Sequence, residues 1–408
     1  VTTDTTTIDA TDAAARQQGL ADYIRDRGTF TGHPRVEAAF RTVFRHQFLP
    51  GIPLDVAYGN QPVVTKTADD GTALSSASNA NLVAAMLGQL QITPGDRILE
   101  IGAATGFNAA LMAELTGPDG HVVTIEYDAD LADGAARHLA DAGYHNVTVV
   151  SGDGAHGHAD HAPYQRIIVT AGAADISTAW WQQLAAGGRI VIPLRLHPSG
   201  LSRSIAFTHT TPGHLVSVEN PLVCGFVPMR GTAAATERHI RLAEDVLLKI
   251  DAADQADDTA LADVLRHPGE AHWTGIRIHD QEPAAHLDLW LATTSDIPFG
   301  RLSVGPVARS SGLLDPALRW AGATLHDGTA LAYLAVRPVT DDENELGLIA
   351  HGPQTATLAA RGLALLRQWD TDRPAVPTIT AVPTPSETPH PATPGHLPRP
   401  DTLITITW

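Results

Sequence analysis

Residues 99–111, LEIGAATGFNAAL, run from an apolar strand through a glycine turn into a helix. Gly102 and Gly106 let the chain turn tightly and let a ligand approach backbone where a side chain would clash. Ala104 stands where such turns often carry glycine, so a full GxGxxG pattern is not met, and Asn108 lies in the first turn of the helix. The next apolar strand ends VVTIEYD, with Glu126 24 positions after Gly102 and Tyr127 behind it. A carboxylate at that strand tip can accept both hydroxyls of a ribose. Farther on, SGDG sets Asp153 and Gly154 at the end of a third strand, where a carboxylate can accept from an adenine amino group; Thr170 ends the fourth. This set points to an adenosine-containing cofactor, although the same residues would also serve as plain turns of an α/β sheet. No GxxxxGK[ST] run is present, which removes a P-loop.

Holding these residues together requires a sheet. RILEIG, HVVTIEY, NVTVVSGD, RIIVTAG and RIVIPLR are short runs rich in Val and Ile, separated by the helical patterns FNAALMAELTG, DADLADGAARHLADAG and STAWWQQLAAGG. Near-continuous apolar strands alternating with helices predict a parallel sheet covered on both faces, an α/β doubly wound, Rossmann-like domain. SRSIAFTHT and HLVSVE, joined by a Pro-Gly turn, predict an antiparallel pair closing it.

Before this domain, residues 1–33 read as a helical lead-in with Ile8, Leu20, Tyr23 and Ile24 as apolar points. VEAAFRTVFRHQFLP then predicts a helix with Val36, Ala39, Phe40, Val43 and Phe44 on one face, stopping at Pro50. After residues 34–230 the character changes. ERHIRLAEDVLLKID predicts a helix with Ile240, Ala243, Leu247 and Ile250 inward. HLDLWLAT, ATLHDGTALAYLAVRP and ELGLIAHG predict strands, with a hairpin at His326-Asp327-Gly328, and QTATLAARGLALLRQW a further helix. Residues 231–372 thus form a C-terminal α+β unit. Residues 373–408 read as a Pro- and Thr-rich spacer ending in a docking strand, TLITITW.

The 408 residues carry 45 acidic and 27 basic side chains, a formal charge of −18. Nucleic-acid binders draw much of their affinity from a basic field, so no nucleic-acid partner is expected. No apolar run approaches the roughly 20 residues of a membrane helix. The first residues lack a signal-peptide pattern, and Cys224 is the lone cysteine, which excludes an internal disulfide and points to the cytoplasm. His156, His158 and His161 fall in DGAHGHADHAP with neither HExxH nor paired cysteines, so they read as loop histidines and no metal is expected.

FRHQFLP, AYGNQPV, LSSASNANLVAAML, GDRILEIGAATGFNAALMAEL, HVVTIEYD, NVTVVSGDGAHG, APYQRIIVTAGA, LAAGGRIVIPL and FVPM occur in this order between about residues 34 and 230. In this the chain resembles the protein-L-isoaspartate (D-aspartate) O-methyltransferases. The resemblance implies a seven-stranded fold, S-adenosyl-L-methionine (AdoMet) as cofactor, and methylation of a peptide carboxylate. It departs from that pattern in three ways. Ala77 replaces the proline of a Ser-X-Pro segment, Gln165 replaces the aspartate after Pro-Tyr, and a long C-terminal extension follows.

The extension resembles variants associated with ribosomal-peptide biosynthesis (lanthipeptides and graspetides). Those methylate an ordinary aspartate in a modified precursor peptide, leading through aspartimide to aspartimide or isoaspartate product. Repair of isoaspartyl protein is the alternative, and a silent peptide-binding scaffold a third reading. A carboxylate, with a reference pKa near ~4, is already ionised at neutral pH and needs no strong base. Positioning dominates, and hydroxyls orient a carboxylate without neutralising it. Ser75, which matches the family serine, is the leading catalytic candidate, with Ser76 and Ser78 beside it; the same LSSAS run would also serve as a helix cap. The C-terminal unit would capture peptide, or else complete the fold or a dimer interface.

Overall fold

The computed structural model describes residues 10–408 apart from 70, 212, 232–236, 280–285, 319–320, 375 and 385–394. Ile8 and Pro212 therefore lie outside the described residues. The lead-in is α1 (Ala10–Asp26), which buries Leu20 and Ile24 while Tyr23 stays exposed. α2 (Pro34–Thr42) buries Val36, Ala39 and Phe40 but ends eight residues before Pro50. The chain turns extended at Val43 and Phe44 and then tightens into a 3-10 turn, Arg45–Phe48, so the expected single helix is two pieces. α3 (Leu54–Ala57) leads to an isolated antiparallel hairpin, β1 (Val63–Thr67) with β2 (Ala73–Ala77).

The doubly wound part follows as α4 (Ala80–Leu90), β3 (Arg97–Ile101), α5 (Phe107–Thr116), β4 (His121–Glu126), α6 (Ala129–Asp141), β5 (Val147–Ser151), β6 (Tyr164–Val169), α7 (Thr178–Gln183) and β7 (Leu184–His197). β3, β4, β5, β6 and β7 pair in parallel in the order β7-β6-β3-β4-β5. Val, Ile and Leu fill both faces, as a sheet covered on both sides demands. β8 (Leu201–Thr211) and β9 (His214–Ser217) extend it in antiparallel fashion, and β10 (Leu222–Val223) pairs with β8.

Beyond Gly231 stands a seven-stranded antiparallel sheet: β11 (Glu237–Ala243), β12 (Val246–Asp251), β13 (Glu270–His279), β14 (Phe299–Val304), β15 (Gly322–His326), β16 (Leu331–Pro338) and β17 (Glu343–His351). Its helices are α8 (Asp258–Ala262), α9 (Leu287–Thr294), α10 (Pro306–Ser310) and α11 (Thr355–Asp372). Two expectations are reversed. ERHIRLAEDVLLKID is the hairpin β11–β12, because Ile240, Val246, Leu248 and Ile250 alternate inward at period two. HLDLWLAT is helix α9, which buries Leu287, Leu289, Trp290 and Leu291 against the sheets, packing that outweighs strand propensity.

The expected spacer is also corrected. β18 (Thr378–Pro383) pairs with β9 and with β20 (Thr402–Thr407), and β19 (His396–Pro398) pairs with β20, so these strands extend the doubly wound sheet itself. Ile379 and Ala381 are fully buried within it, together with Ile404 and Ile406. One apolar cluster runs from Leu99 and Ile190 through Trp290 to Leu348 and Ile404, so both units share a core. Removing residues 231–408 would therefore strip strands from the doubly wound sheet as well as the α+β unit. Ile379→Ala should lower the unfolding free energy by about 2–4 kcal/mol, the usual cost of such a truncation in a packed core. Urea unfolding followed by tryptophan fluorescence reads this, and a change near zero would show that β18 does not belong to the core.

Candidate active site

The site begins with a strand that must stop. β3 ends at Ile101, and Gly102 takes φ +104° with its amide donating to Ile125 O at 2.8 Å. A Cβ on Gly102 would lie 2.5 Å from Thr170 Oγ1, and one on Gly154 would lie 2.4 Å from Ile101 Cγ2. Both glycines thus let the ends of β3, β5 and β6 pack closely against one another. Gly106 (φ +90°) opens α5, and Ala104 takes φ +47°, a left-handed conformation that costs an L-residue roughly 1–2 kcal/mol. The tip of β4 answers that strain: Glu126 Oε2 accepts from Ala104 N at 2.8 Å, and its Oε1 accepts from Asp128 N at 3.2 Å.

Gly102, Ala104, Glu126, Gly154 and Thr170 line a cleft, with Ser75–Ser78 on one wall and residues 226–230 on another. Of the sequence-derived candidates, Ser75, Ser76, Ser78, Gly102, Ala104, Asn108, Glu126, Tyr127, Gly154 and Thr170 all line it. Gly106 does not; it sets the turn behind the wall. Asp153 does not line the cleft either, and its Oδ1 accepts from Ala155 N at 2.9 Å to cap the turn that carries Gly154. Thr170 Oγ1 donates toward Gly102 O at 2.6 Å and Ile101 O at 2.9 Å, fastening the turn. Tyr127 is 49% exposed at the rim, with the Arg230 guanidinium over its ring.

The serine run is not the helix cap. Ser75 and Ser76 lie in β2 and Ser78 just follows it, and Asn79 caps α4 by accepting from Leu82 N at 3.1 Å. Ser75 is buried, and its Oγ accepts from Thr65 Oγ1 at 3.1 Å. Behind the strand sits Arg45, fully buried, whose Nη2 donates to Ser78 O at 2.8 Å and whose Nε donates to Ala57 O at 2.9 Å. Burial pushes its pKa down to about 10. A charged residue in the apolar run VFRHQF was the available signal for Arg45, but the carbonyls it serves lie in other segments.

Glu100 was also missed, although a charge inside RILEIG marks it. It is wholly buried, accepting from Thr124 Oγ1 at 2.6 Å and Asn108 Nδ2 at 2.7 Å. Asn108 Oδ1 remains a buried acceptor without a protein partner beside the cleft. Gln165, in place of the family aspartate, accepts from Arg97 N at 2.9 Å at the opposite end of the sheet from the site. Among the described residues no group of His, Cys, Asp and Glu could hold a metal ion. His121, His158 and His161 instead stack ring on ring at 5.0 and 5.5 Å.

An open parallel sheet, a glycine turn entering a helix, a strand-tip glutamate and close-packed glycines at the strand ends define a Rossmann-like, AdoMet-dependent methyltransferase. The family profile described as Protein-L-isoaspartate(D-aspartate) O-methyltransferase matches residues 15–234, just over half of the chain. A protein-L-isoaspartate O-methyltransferase of Ignicoccus hospitalis is 37% identical over 194 residues, 48% of this chain and 88% of that one. Another from Methanopyrus kandleri is 42% identical over 179 residues, covering 44% and 76%. A solved structure of a protein-L-isoaspartate O-methyltransferase aligns over 89% of this chain and 96% of its own, with TM-score 0.50 and 22% identity. At that identity the likeness is one of fold, and its extent takes in the C-terminal unit. The chain belongs to the protein-L-isoaspartate(D-aspartate) O-methyltransferase family and is an AdoMet-dependent carboxyl methyltransferase. Among the described residues no helix is long and apolar enough to cross a membrane.

Glu126→Ala should weaken AdoMet binding, measured by calorimetry, and unchanged affinity would refute its assignment to the ribose. Glu100 generates a pH prediction. Burial raises its carboxyl from 4.5 to about 7 against the opposing hydrogen bonds from Thr124 and Asn108. The folded chain therefore holds a proton that the unfolded chain releases, and this contribution to stability is complete below 4.5 and lost as pH rises to about 7. Over that window the loss is about 3 kcal/mol at ~1.4 kcal/mol per pH unit. Glu100→Gln should flatten this fall in urea unfolding at fixed pH values; a wild-type slope would exclude Glu100 as its source.

Proposed function

We propose that this cleft methylates the free carboxylate of an isoaspartyl residue in a protein or peptide, with Ser75 as the hydroxyl that orients it. The observation that carries the reading is Ser75 Oγ, buried in the cleft wall 3.1 Å from Thr65 Oγ1, a hydroxyl that can donate to it while Ser75 donates to an incoming carboxylate. AdoMet, when bound, supplies a sulfonium-activated methyl group that the carboxylate oxygen takes, leaving a methyl ester and a thioether. Glu126 accepts from the ribose hydroxyls, Gly102 and Gly154 admit the ligand against backbone, and Asn108 Oδ1 offers an acceptor for the cofactor's amino group. Asp153, whose Oδ1 caps the turn that carries Gly154, retains the lone pairs of a carboxylate for an adenine amino group. Ser76 and Ser78 widen the hydroxyl surface, and Arg45 holds the Ser78 carbonyl so that the strand stays in register with the cleft. The expected gain is one of orientation, worth several kcal/mol in favourable cases, about 7–11 for ideal intramolecular reactions.

A second reading is methylation of an ordinary aspartate in a constrained, modified precursor peptide. Ala77 favours it, because the wall lacks the proline of Ser-X-Pro and so presents a different surface to the peptide. The C-terminal unit favours neither, since a solved family structure aligns across it. Among the described residues none after Arg230 lines the cleft, so we assign that unit to completing the catalytic fold rather than to contacting the reacting carboxylate.

Ser75→Ala should reduce turnover about 10²-fold or more while leaving AdoMet affinity within a factor of two, the pattern of a group that acts on the reacting centre. Turnover like wild type would remove Ser75 from the site. Methyl transfer to a linear isoaspartyl peptide, set against a cyclised aspartate-containing precursor, separates the two substrates. Transfer to the cyclised peptide alone would overturn the first reading.

A further inference from the structure

Asp128 occupies the N-cap position of α6, yet its carboxylate makes no capping bond to that helix. It faces two cations from separate segments instead. Lys66 Nζ, on β1, lies 3.1 Å from Asp128 Oδ1 and 2.8 Å from Asp130 Oδ1. Arg230, after β10, contacts Asp128 Oδ2. The Arg230 guanidinium also lies 4.8 Å from the Tyr127 ring centroid and 4.0 Å from Glu126 Oε1. Each segment carries a wall of the cleft. Lys66 stands opposite Ser75 in the β1–β2 register, residues 226–230 form the facing wall, and Glu126 and Tyr127 form the rim between them. The side chains of Lys66, Asp128 and Arg230 are 29, 17 and 30% exposed, so water screens them only in part.

We propose that Asp128 is a positioning residue whose carboxylate latches the serine hairpin and the 226–230 wall to the rim, and so sets how tightly the cleft retains its cofactor. Without it the two cations would share no anion, Lys66 keeping only Asp130 and Arg230 only Glu126 at 4.0 Å, and both walls would be held more loosely to the rim. The inference rests on this cleft being the AdoMet site. The hydrogen bond from Arg230, followed by that from Lys66, holds the Asp128 carboxyl below its ordinary range, consistent with an anion in place at neutral pH.

The test is AdoMet binding to the full chain without peptide, by calorimetry and stopped-flow dissociation, at about 0.05 M and about 0.5 M salt, which shortens the screening length several-fold. Asp128→Asn should raise Kd about fivefold, or about 1 kcal/mol, mainly through faster dissociation. It should also remove most of the salt dependence of the wild-type chain. Lys66→Met should weaken binding less, and should add little on top of Asp128→Asn, while Asp128→Glu restores most of the affinity. Wild-type Kd and salt dependence in Asp128→Asn, or additive effects of the pair, would overturn the latch. Should Asp128→Asn fail to fold, Lys66→Met with unchanged dissociation would overturn it alone. No binding by the wild-type chain would sink the cofactor assignment as well, which keeps the two failures apart.

Discussion

The hydrogen bond from Ala104 N to Glu126 Oε2 is the constraint on which the site depends. It joins the turn after β3 to the tip of the neighbouring strand, and it holds an alanine in a left-handed conformation that glycine would adopt freely. A strained turn persists only where its surroundings over-determine it. Here Thr170 fastens the same turn from the other side, and Gly106 starts the helix at once. The carboxylate that would receive a ribose is therefore already oriented by protein. Its two oxygens accept from Ala104 N and Asp128 N, and lone pairs remain for the ligand.

The second wall is built by longer reach. Arg45 carries its charge into a fully buried position and distributes its donors to carbonyls of α3 and of the residues after β2. A buried guanidinium without a carboxylate is costly, and removing its carbonyls or the side chain itself would leave unmet polar groups on one side or the other. Arg45 therefore acts as a fixed pin between the early helices and the serine strand. Asn79 contributes the neighbouring restraint, capping α4 while donating to Asn60 O.

The C-terminal unit is joined to the methyltransferase sheet by more than a linker. Arg203 on β8 pairs with Asp288 of α9, and Arg195 on β7 pairs with Glu237 of β11 at 3.2 Å, all little exposed. Buried pairs of this kind add little net stability but penalise any other docking, because a misplaced partner leaves a charge unpaired. Past α11 the chain returns to the catalytic sheet as β18, β19 and β20. Asp401 N donates to Asp175 Oδ2, and Thr402 Oγ1 donates to Ile176 O, clamping the loop between β6 and α7. The two units therefore share one apolar cluster, beside a further cluster within each.

Local pattern was enough for the alternation from β3 to β7, for β8 with β9, for the hairpin at Asp327 and for α11. Runs of Val and Ile, turn glycines and helical periodicity act within a few residues of themselves. The same holds for Gly102, Gly106 and Glu126, whose spacing is fixed by one strand-helix-strand unit. Sequence alone did not assign β11–β12, α9 or β18, because each depends on which neighbour buries its apolar face. Nor did it reveal that Asn79 rather than a serine caps α4, that Arg45 pins the serine strand, or that Asp128 joins segments 62 and 102 positions away in the chain. The glycine turn and the strand-tip glutamate belong to one stretch of chain and could be read there. The walls that complete the cleft come from distant stretches, and only their packing brought them together.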